Sequence, residues 1–360
     1  MRTMDRQDKA RAAKYLAEIR RLADQPLKIM EVCGTHTVAI AKNALRDVLP
    51  PQIRLISGPG CPVCVTDQSD IDRFLFLAAQ PDIITATFGD MIRVPGTSKS
   101  LQALRSEGAD IRVVYSTLDA LALARKNPAK EVVFLGVGFE TTAPTVAVSL
   151  QIARQENLKN FSVLVFHKLV PPALRALAED PLLEVDAFLD PGHACAIIGI
   201  HPLEFMARQY GKPGVVTGFE ALDILEAILM ILRQRVQGRT EIEIQYKKVV
   251  KAEGNVQAQA LITEVFAPAD AFWRGLGCIP QSGLAIRPAY RSWDAAVKFN
   301  LPLFQSVAPQ HCRCGDILKG RIRPGACSLF GSECTPLQPI GPCMVSSEGT
   351  CAAYYRYNIQ

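Results

Sequence analysis

Long apolar runs, a surplus of one charge and a nucleotide-binding phosphate loop are all missing from this chain of 360 residues. The net charge is only +5, and no basic block carries interleaved aromatics, so nucleic acid is not an expected partner. The longest apolar stretch, Ala221 to Leu232, is interrupted by Asp223 and Glu226 and is too short to span a bilayer. It reads as a buried helix. Met1 to Lys9 alternates charged and polar residues with no apolar core, so a secretory leader is not expected and a cytoplasmic location is. No G-x-x-x-x-G-K-[S/T] occurs, which leaves a P-loop ATPase without support.

What is there is ordinary globular composition, 49% hydrophobic and 21% charged, enough for two or three cores, together with eleven cysteines. A reducing compartment disfavours a disulfide framework, so metal ligation or redox chemistry is the stronger reading. Three cysteines fall between Cys33 and Cys64 and six between Cys312 and Cys351, while Cys195 and Cys278 stand alone.

The apolar pattern sets the architecture. Asp5 to Asp24 carries Ala13, Leu16, Ile19 and Leu22 at helical spacing, so residues 1–25 form an N-terminal helix. Short strand-like runs then alternate with helical stretches: strands at Leu27–Val32, Ile53–Ser57, Ile83–Thr87 and Ile111–Tyr115, helices at Val38–Val48, Ser69–Ala79 and Ser98–Glu107. Such alternation implies βαβ units and parallel sheets. Asn127-Pro128 marks a boundary, and Glu131–Val137, Ser162–Phe166, Ala187–Leu189 and Gly214–Thr217 read as strands of a second unit. The expectation is two Rossmann-like parallel-sheet α/β domains, residues 26–126 and 127–237, followed by a C-terminal α+β iron–sulfur domain over 238–360. A short echo, Gly138-Phe139-Glu140 and Gly218-Phe219-Glu220, follows one strand in each half of the second unit.

The C-terminal thiols are spaced widely and unequally, and no C-x-x-C zinc knuckle occurs among them. A tetrahedral zinc site remains an alternative, but an iron–sulfur cluster cradled in a loop-rich fold suits the spacing better. Near the N-terminus, Cys33-Gly34-Thr35-His36 and Gly58-Pro59-Gly60-Cys61-Pro62-Val63-Cys64 each follow a strand and lead into a helix. Both therefore lie at strand C-terminal ends, where open α/β sheets bind ligands. Cys61 and Cys64 read equally as a redox pair or half a metal site, and His36 as a ligand, a proton-transfer group or a packed histidine. The Gly136–Thr142 loop lacks the third glycine of a dinucleotide fingerprint. His167-Lys168 and Gly192-His193 are placed to line the same cleft, whereas His201 and His311 carry no signal.

These segments together resemble the HypD family of hydrogenase maturation proteins. The resemblance rests on Cys33–His36, Gly58–Cys64, Gly138–Thr142 and the run Gly341-Pro342-Cys343-Met344-Val345-Ser346-Ser347-Glu348-Gly349, and it covers essentially the whole chain. It implies a scaffold for the iron of [NiFe] hydrogenase, an Fe(II) carrying two cyanides and one carbonyl. It further implies work with HypC and cyanide received from HypE, with HypF upstream. By position, Cys33, Cys61 and Cys64 would hold that iron, with His36 and Glu140 as functional neighbours. The C-terminal part is similar to ferredoxin:thioredoxin reductase, in which a 4Fe–4S cluster sits beside a redox disulfide. That analogy puts Cys312, Cys327, Cys334 and Cys351 on the cluster and pairs Cys314 with Cys343; exchanging Cys312 and Cys314 is the alternative. On this reading the chain is a monomer that forms hetero-complexes, a scaffold with redox activity more than a turnover enzyme. The rival function is an iron–sulfur thiol–disulfide oxidoreductase.

Overall fold

The computed structural model describes residues 6–305, 307 and 309–357. The helix expected from Asp5 runs over Arg6–Leu22, and residues 1–5 lie outside the described residues. Eleven strands follow in chain order: β1 Leu27–Glu31, β2 Ile53–Ser57, β3 Ile83–Thr87, β4 Asp110–Val113, β5 Glu131–Gly136, β6 Phe161–Val165, β7 Ala187–Pro191, β8 Gly214–Thr217, β9 Ile242–Ile244, β10 Phe266–Trp273 and β11 Gly277–Ile286. The strands expected from periodicity are present to within about two residues at each end. The expected helix Val38–Val48 is two pieces, Gly34–Lys42 and Leu45–Val48, because Ala44 between them adopts φ 50°.

Two parallel sheets form the frame. One has the order β2-β1-β7-β8-β9 and the other β4-β3-β5-β6. The fold class is therefore the expected one, two α/β units and a C-terminal part. The strands are shared out differently from the expected boundaries, however. The step at 126/127 falls inside the second sheet, because β3 pairs with both β4 and β5. The first sheet is completed from a distance, by β7 lying beside β1. Parallel pairing requires long crossovers, and here the whole second sheet is one insertion between β2 and β7. The segment 238–360 is likewise divided. β9 extends the first sheet, the antiparallel β10–β11 hairpin packs on the second unit through the helix Val170–Ala178, and only the cysteine-rich end, built of short helices and loops, stands apart.

Alternation along the strands sorts side chains into three cores. Leu27 and Ile29 of β1 join Ile224, Ile228 and Leu232 of the helix Ala221–Val236 on the outer face of the first sheet. Val132 and Phe134 of β5 pack beneath Val146 and Leu150 on the outer face of the second. The intervening residues, Met30 and Val32 on β1 and Val133 and Leu135 on β5, point into a third core shared with Cys314, Cys343 and Met344. A period of two with both faces buried is what a sheet covered on both sides produces. No helix among the described residues is long and apolar enough to cross a membrane. The C-terminal ends of β1, β2, β5, β7 and β8 all carry short turns, and those turns build the site.

Candidate functional site: a buried thiol centre

At the end of β1, Val32 donates its N–H to Leu189 O, and Gly34 N–H donates to Gly60 O at 2.9 Å. The Cys33 turn and the turn after β2 are thereby joined. A Cβ on Gly60 would lie 2.2 Å from Cys33 N, so only glycine permits the approach. Cys33 then caps the helix Gly34–Lys42 in extended conformation. Cys61 caps the helix Pro62–Val65, its sulfur accepting from Cys64 N–H, and Cys61 and Cys64 are disulfide-bonded. Below them Glu31, wholly buried, is held by Arg46 at 3.0 Å and by Ser57 Oγ.

Burial dominates the electrostatics. The Cys33 thiol is pushed up to about 11 by desolvation, with the nearby Glu348 charge acting the same way. A helix start ordinarily favours a thiolate, but here the dipole does not overcome the cost of burial, and the thiol is the resting form. His36 lies inside the helix, not on a loop. Its Nε2–H donates to the carbonyls of Thr217 and Gly218, and desolvation lowers its pKa to about 4, leaving it neutral. Phe219 stacks on His36 at 4.7 Å between ring centroids and on His193 at 3.9 Å. Thus the second Gly-Phe-Glu turn anchors the histidine, and Gly192-His193 does reach this side of the molecule.

Glu140 comes from the first Gly-Phe-Glu turn. One carboxylate oxygen accepts from Val170 N–H at 2.8 Å, and Oε2 is buried without a partner among the described residues. Burial raises Glu140, and Asp190 at the end of β7, to about 7; Asp190 Oδ2 also lacks a partner among the described residues. Cys195 lies where the charges of Asp190, Glu140 and Cys33 all act on it, so these four groups share one buried neighbourhood. Sequence reasoning left Cys195 and Asp190 aside; the Asp190-Pro191-Gly192-His193 strand end was the available signal. His167 and Lys168, expected in this cleft, turn instead to a separate cavity behind the Gly136–Thr142 loop.

The six C-terminal cysteines meet around one small cavity of about 20 Å³, walled otherwise by Ile317, Leu329, Phe330, Gly341 and Met344. Cys312, Cys327, Cys334 and Cys351 all line it, as do Cys314 and Cys343, whose sulfurs are 2.8 Å apart. The Cys314 sulfur accepts from Cys312 and Cys343 and feels the Arg274 guanidinium, which holds it well below the ordinary thiol range; Cys343 is raised as a donor to it. The thiols surround a space instead of converging on a point: among the described residues no three His, Cys, Asp or Glu side chains are grouped to hold a single metal ion. This end docks on the first site, where the helix Thr350–Arg356 packs on Gly34–Lys42. The helix Pro342–Val345 packs against Pro62–Val65, and Thr35 Oγ1 donates to Glu348 Oε1 at 2.6 Å.

A model of the HypD family, described as "Hydrogenase formation hypA family", matches residues 10–358. The chain belongs to the HypD family. It is 50% identical to the hydrogenase maturation factor HypD of Rhodobacter capsulatus, over 97% of this chain and 96% of that protein. Identity to HypD of Escherichia coli K12 is 45%, covering 94% and 91% of the two chains. The hydrogenase expression/formation protein HupD of Azotobacter chroococcum is 45% identical over 98% and 96%. A role in hydrogenase maturation follows from family membership, and of the four segments singled out for the resemblance two carry the first thiol site and Gly341–Gly349 brings Cys343 to the second.

Because Glu348 raises the Cys33 pKa, Glu348→Gln shifts the pH profile of Cys33 alkylation downward, and the rate at pH 8 rises by up to roughly tenfold, the effect of one pKa unit. Peptide-resolved mass spectrometry of the alkylated chain reads this directly; an unchanged or upward-shifted profile contradicts the placement.

Proposed function

We propose that the chain is the scaffold on which an iron(II) ion, its cargo, acquires cyanide and carbonyl ligands for [NiFe] hydrogenase, held by Cys33, Cys61 and Cys64. The observation that carries this reading is the hydrogen-bonded union of the Cys33 turn with the Gly58–Cys64 turn, which sets three sulfurs at the ends of two adjacent parallel strands. Soft anionic sulfur suits an iron that takes strong-field carbon ligands. The Cys61–Cys64 disulfide must first gain two electrons and two protons to yield two thiols. Cys33, protonated in its buried state, then loses its proton as iron binds. Glu140, whose Oε2 has no partner among the described residues and whose pKa burial raises to about 7, acts on Cys195 as Cys33 does, and it is the group assigned to take the proton. HypC is the proposed partner in this state and HypE, with HypF upstream, the source of cyanide, all in a reducing cytoplasm.

For the C-terminal cavity we propose a resident 4Fe–4S cluster. The donor chemistry fits: six thiols line an apolar space, and four iron corners each require one. Cys312, Cys327, Cys334 and Cys351 would hold it, leaving Cys314 and Cys343 as a dithiol. When bound, the cluster supplies one-electron chemistry. Cys343 of the dithiol lies on the helix Pro342–Val345 that packs against the Cys61–Cys64 helix, and Cys314 starts the neighbouring helix Cys314–Leu318. Exchange between the pairs balances without another reactant: Cys314 and Cys343 lose two electrons and two protons in forming a disulfide, and Cys61 and Cys64 gain them. The same proximity of the two pairs favours the second reading, a thiol–disulfide oxidoreductase acting on a partner protein.

Cys33→Ala separates these readings. In the complex with HypC, infrared bands of cyanide and carbonyl disappear while the visible absorption of the cluster stays; retention of the bands removes Cys33 as the anchor, and loss of both signals removes the two-site arrangement. Within the second site, Cys312→Ser loses most of its acid-labile sulfide during anaerobic purification, whereas Cys314→Ser keeps it and changes only the thiol titration. The opposite pattern exchanges the two roles.

A further inference from the structure

One roomy cavity belongs to neither thiol site. It lies between the edge strand β6, the β10–β11 hairpin and the helix Gln68–Ala78, is open to solvent on one side, and has a volume of about 250 Å³. The hairpin is irregular where it faces this space: the register shifts between Ala269 and Ala271, and Gln281 opposite adopts φ 53°. Such bulges open a sheet locally and are enriched next to binding sites.

The polar groups lining the cavity fall into two classes. The acids are all engaged. Asp70 binds the buried Lys168 ammonium at 3.2 Å, Asp294 caps the helix Ala295–Lys298 by accepting from Ala296 N–H, and Asp270 accepts from Gln281. The donors are not. Lys168 is 2% exposed and makes a single hydrogen bond, leaving two of its three N–H groups unused. Arg73 forms no hydrogen bond and no ion pair among the described residues; its Nε is buried without a partner, and its guanidinium lies over the Phe166 ring at 5.2 Å. His167, fully buried, adds no donor: its Nε2–H donates to Thr142 Oγ1 at 3.0 Å, whose own hydroxyl donates to Phe139 O, so Nδ1 of the neutral ring, without a partner among the described residues, is an acceptor. Buried donors left unmatched are costly, and their geometry states what would match them.

We propose that this cavity is a binding site for a small molecule bearing an oxyanion, a carboxylate or a phosphate. Arg73 presents a planar fork to the anion and Lys168 adds a second cationic contact. Phe166, Ala271 and Leu284 give the rest of the ligand an apolar wall. The site backs directly on the loop that carries Glu140, since Lys168 N–H donates to Gly138 O and Val170 N–H to Glu140. The cavity and the thiol centre thus share this loop as a common wall.

Isothermal titration of the full chain in chloride-free buffer, with acetate and inorganic phosphate as separate probes, tests this. Saturable binding of one probe is expected, and the better probe identifies the anion class. Arg73→Gln weakens it at least tenfold, Arg73→Lys recovers part of the loss, and Cys33→Ala leaves it unchanged. Circular dichroism of the two Arg73 variants checks that they fold. If neither probe saturates, if Arg73→Gln binds as the parent does, or if Cys33→Ala abolishes binding, the proposal is overturned.

Discussion

The hydrogen bond from Gly34 N–H to Gly60 O is the constraint on which the rest of the thiol centre depends. It draws two strand-end turns together so closely that Gly60 has no room for a side chain. Everything that follows is a consequence of that approach. Cys33 and Cys61 each cap a helix that starts at the junction, Glu31 is sealed beneath it with Arg46, and Glu348 of the C-terminal run closes over Gly34. A pair of turns on adjacent parallel strands is a common ligand position in α/β proteins. What is particular here is that each turn supplies sulfur.

Burial then assigns different characters to chemically similar groups. Cys33, Glu140 and Asp190 sit in low dielectric with few hydrogen bonds, and each is pushed toward its neutral form. His36 is neutral for the same reason. Cys314 is equally buried, yet two neighbouring thiols and the Arg274 charge favour its anion. Hydrogen bonding to the charged form outweighs desolvation at Cys314 and does not at Cys33. The two ends of the molecule thus differ in kind: one centre holds its groups in their protonated forms, and the other favours an anionic sulfur beside the Cys343 thiol. Arg274 links them physically, donating its backbone N–H to Val65 O and its guanidinium to Thr66 O and Gln68.

Much of this was legible in the residues alone. Strand positions followed from short apolar runs, because central strands such as β3 and β5 are buried on both faces and bounded by turn-formers. The three turns that carry Cys33, Cys61 and Glu140 were visible as Gly- and Pro-rich motifs after strands. Sheet membership was not, since β7 pairs with β1 across a separation that no local pattern encodes. The β10–β11 hairpin was also hidden: Pro268, Gly277, Pro280 and Gly283 punctuate it and mimic loop composition. Cys195 and Asp190 escaped notice because a single cysteine and a single aspartate signal nothing until the fold brings them beside Cys33. The histidine of Cys33–His36 was recognised as important, but its part in tying the first turn to Phe219 required the β8 turn to be placed.

The central claim is that one iron outside the cluster is held by Cys33, Cys61 and Cys64. Mössbauer spectroscopy of the ⁵⁷Fe-labelled chain, isolated anaerobically with HypC, tests it most directly. The account predicts a low-spin ferrous component of roughly one fifth of the iron, one ion beside the four of a cluster, that vanishes in the Cys61→Ser, Cys64→Ser double variant while the cluster component remains. Iron confined to the cluster component in the parent complex, or a ferrous component that survives the double substitution, would contradict it.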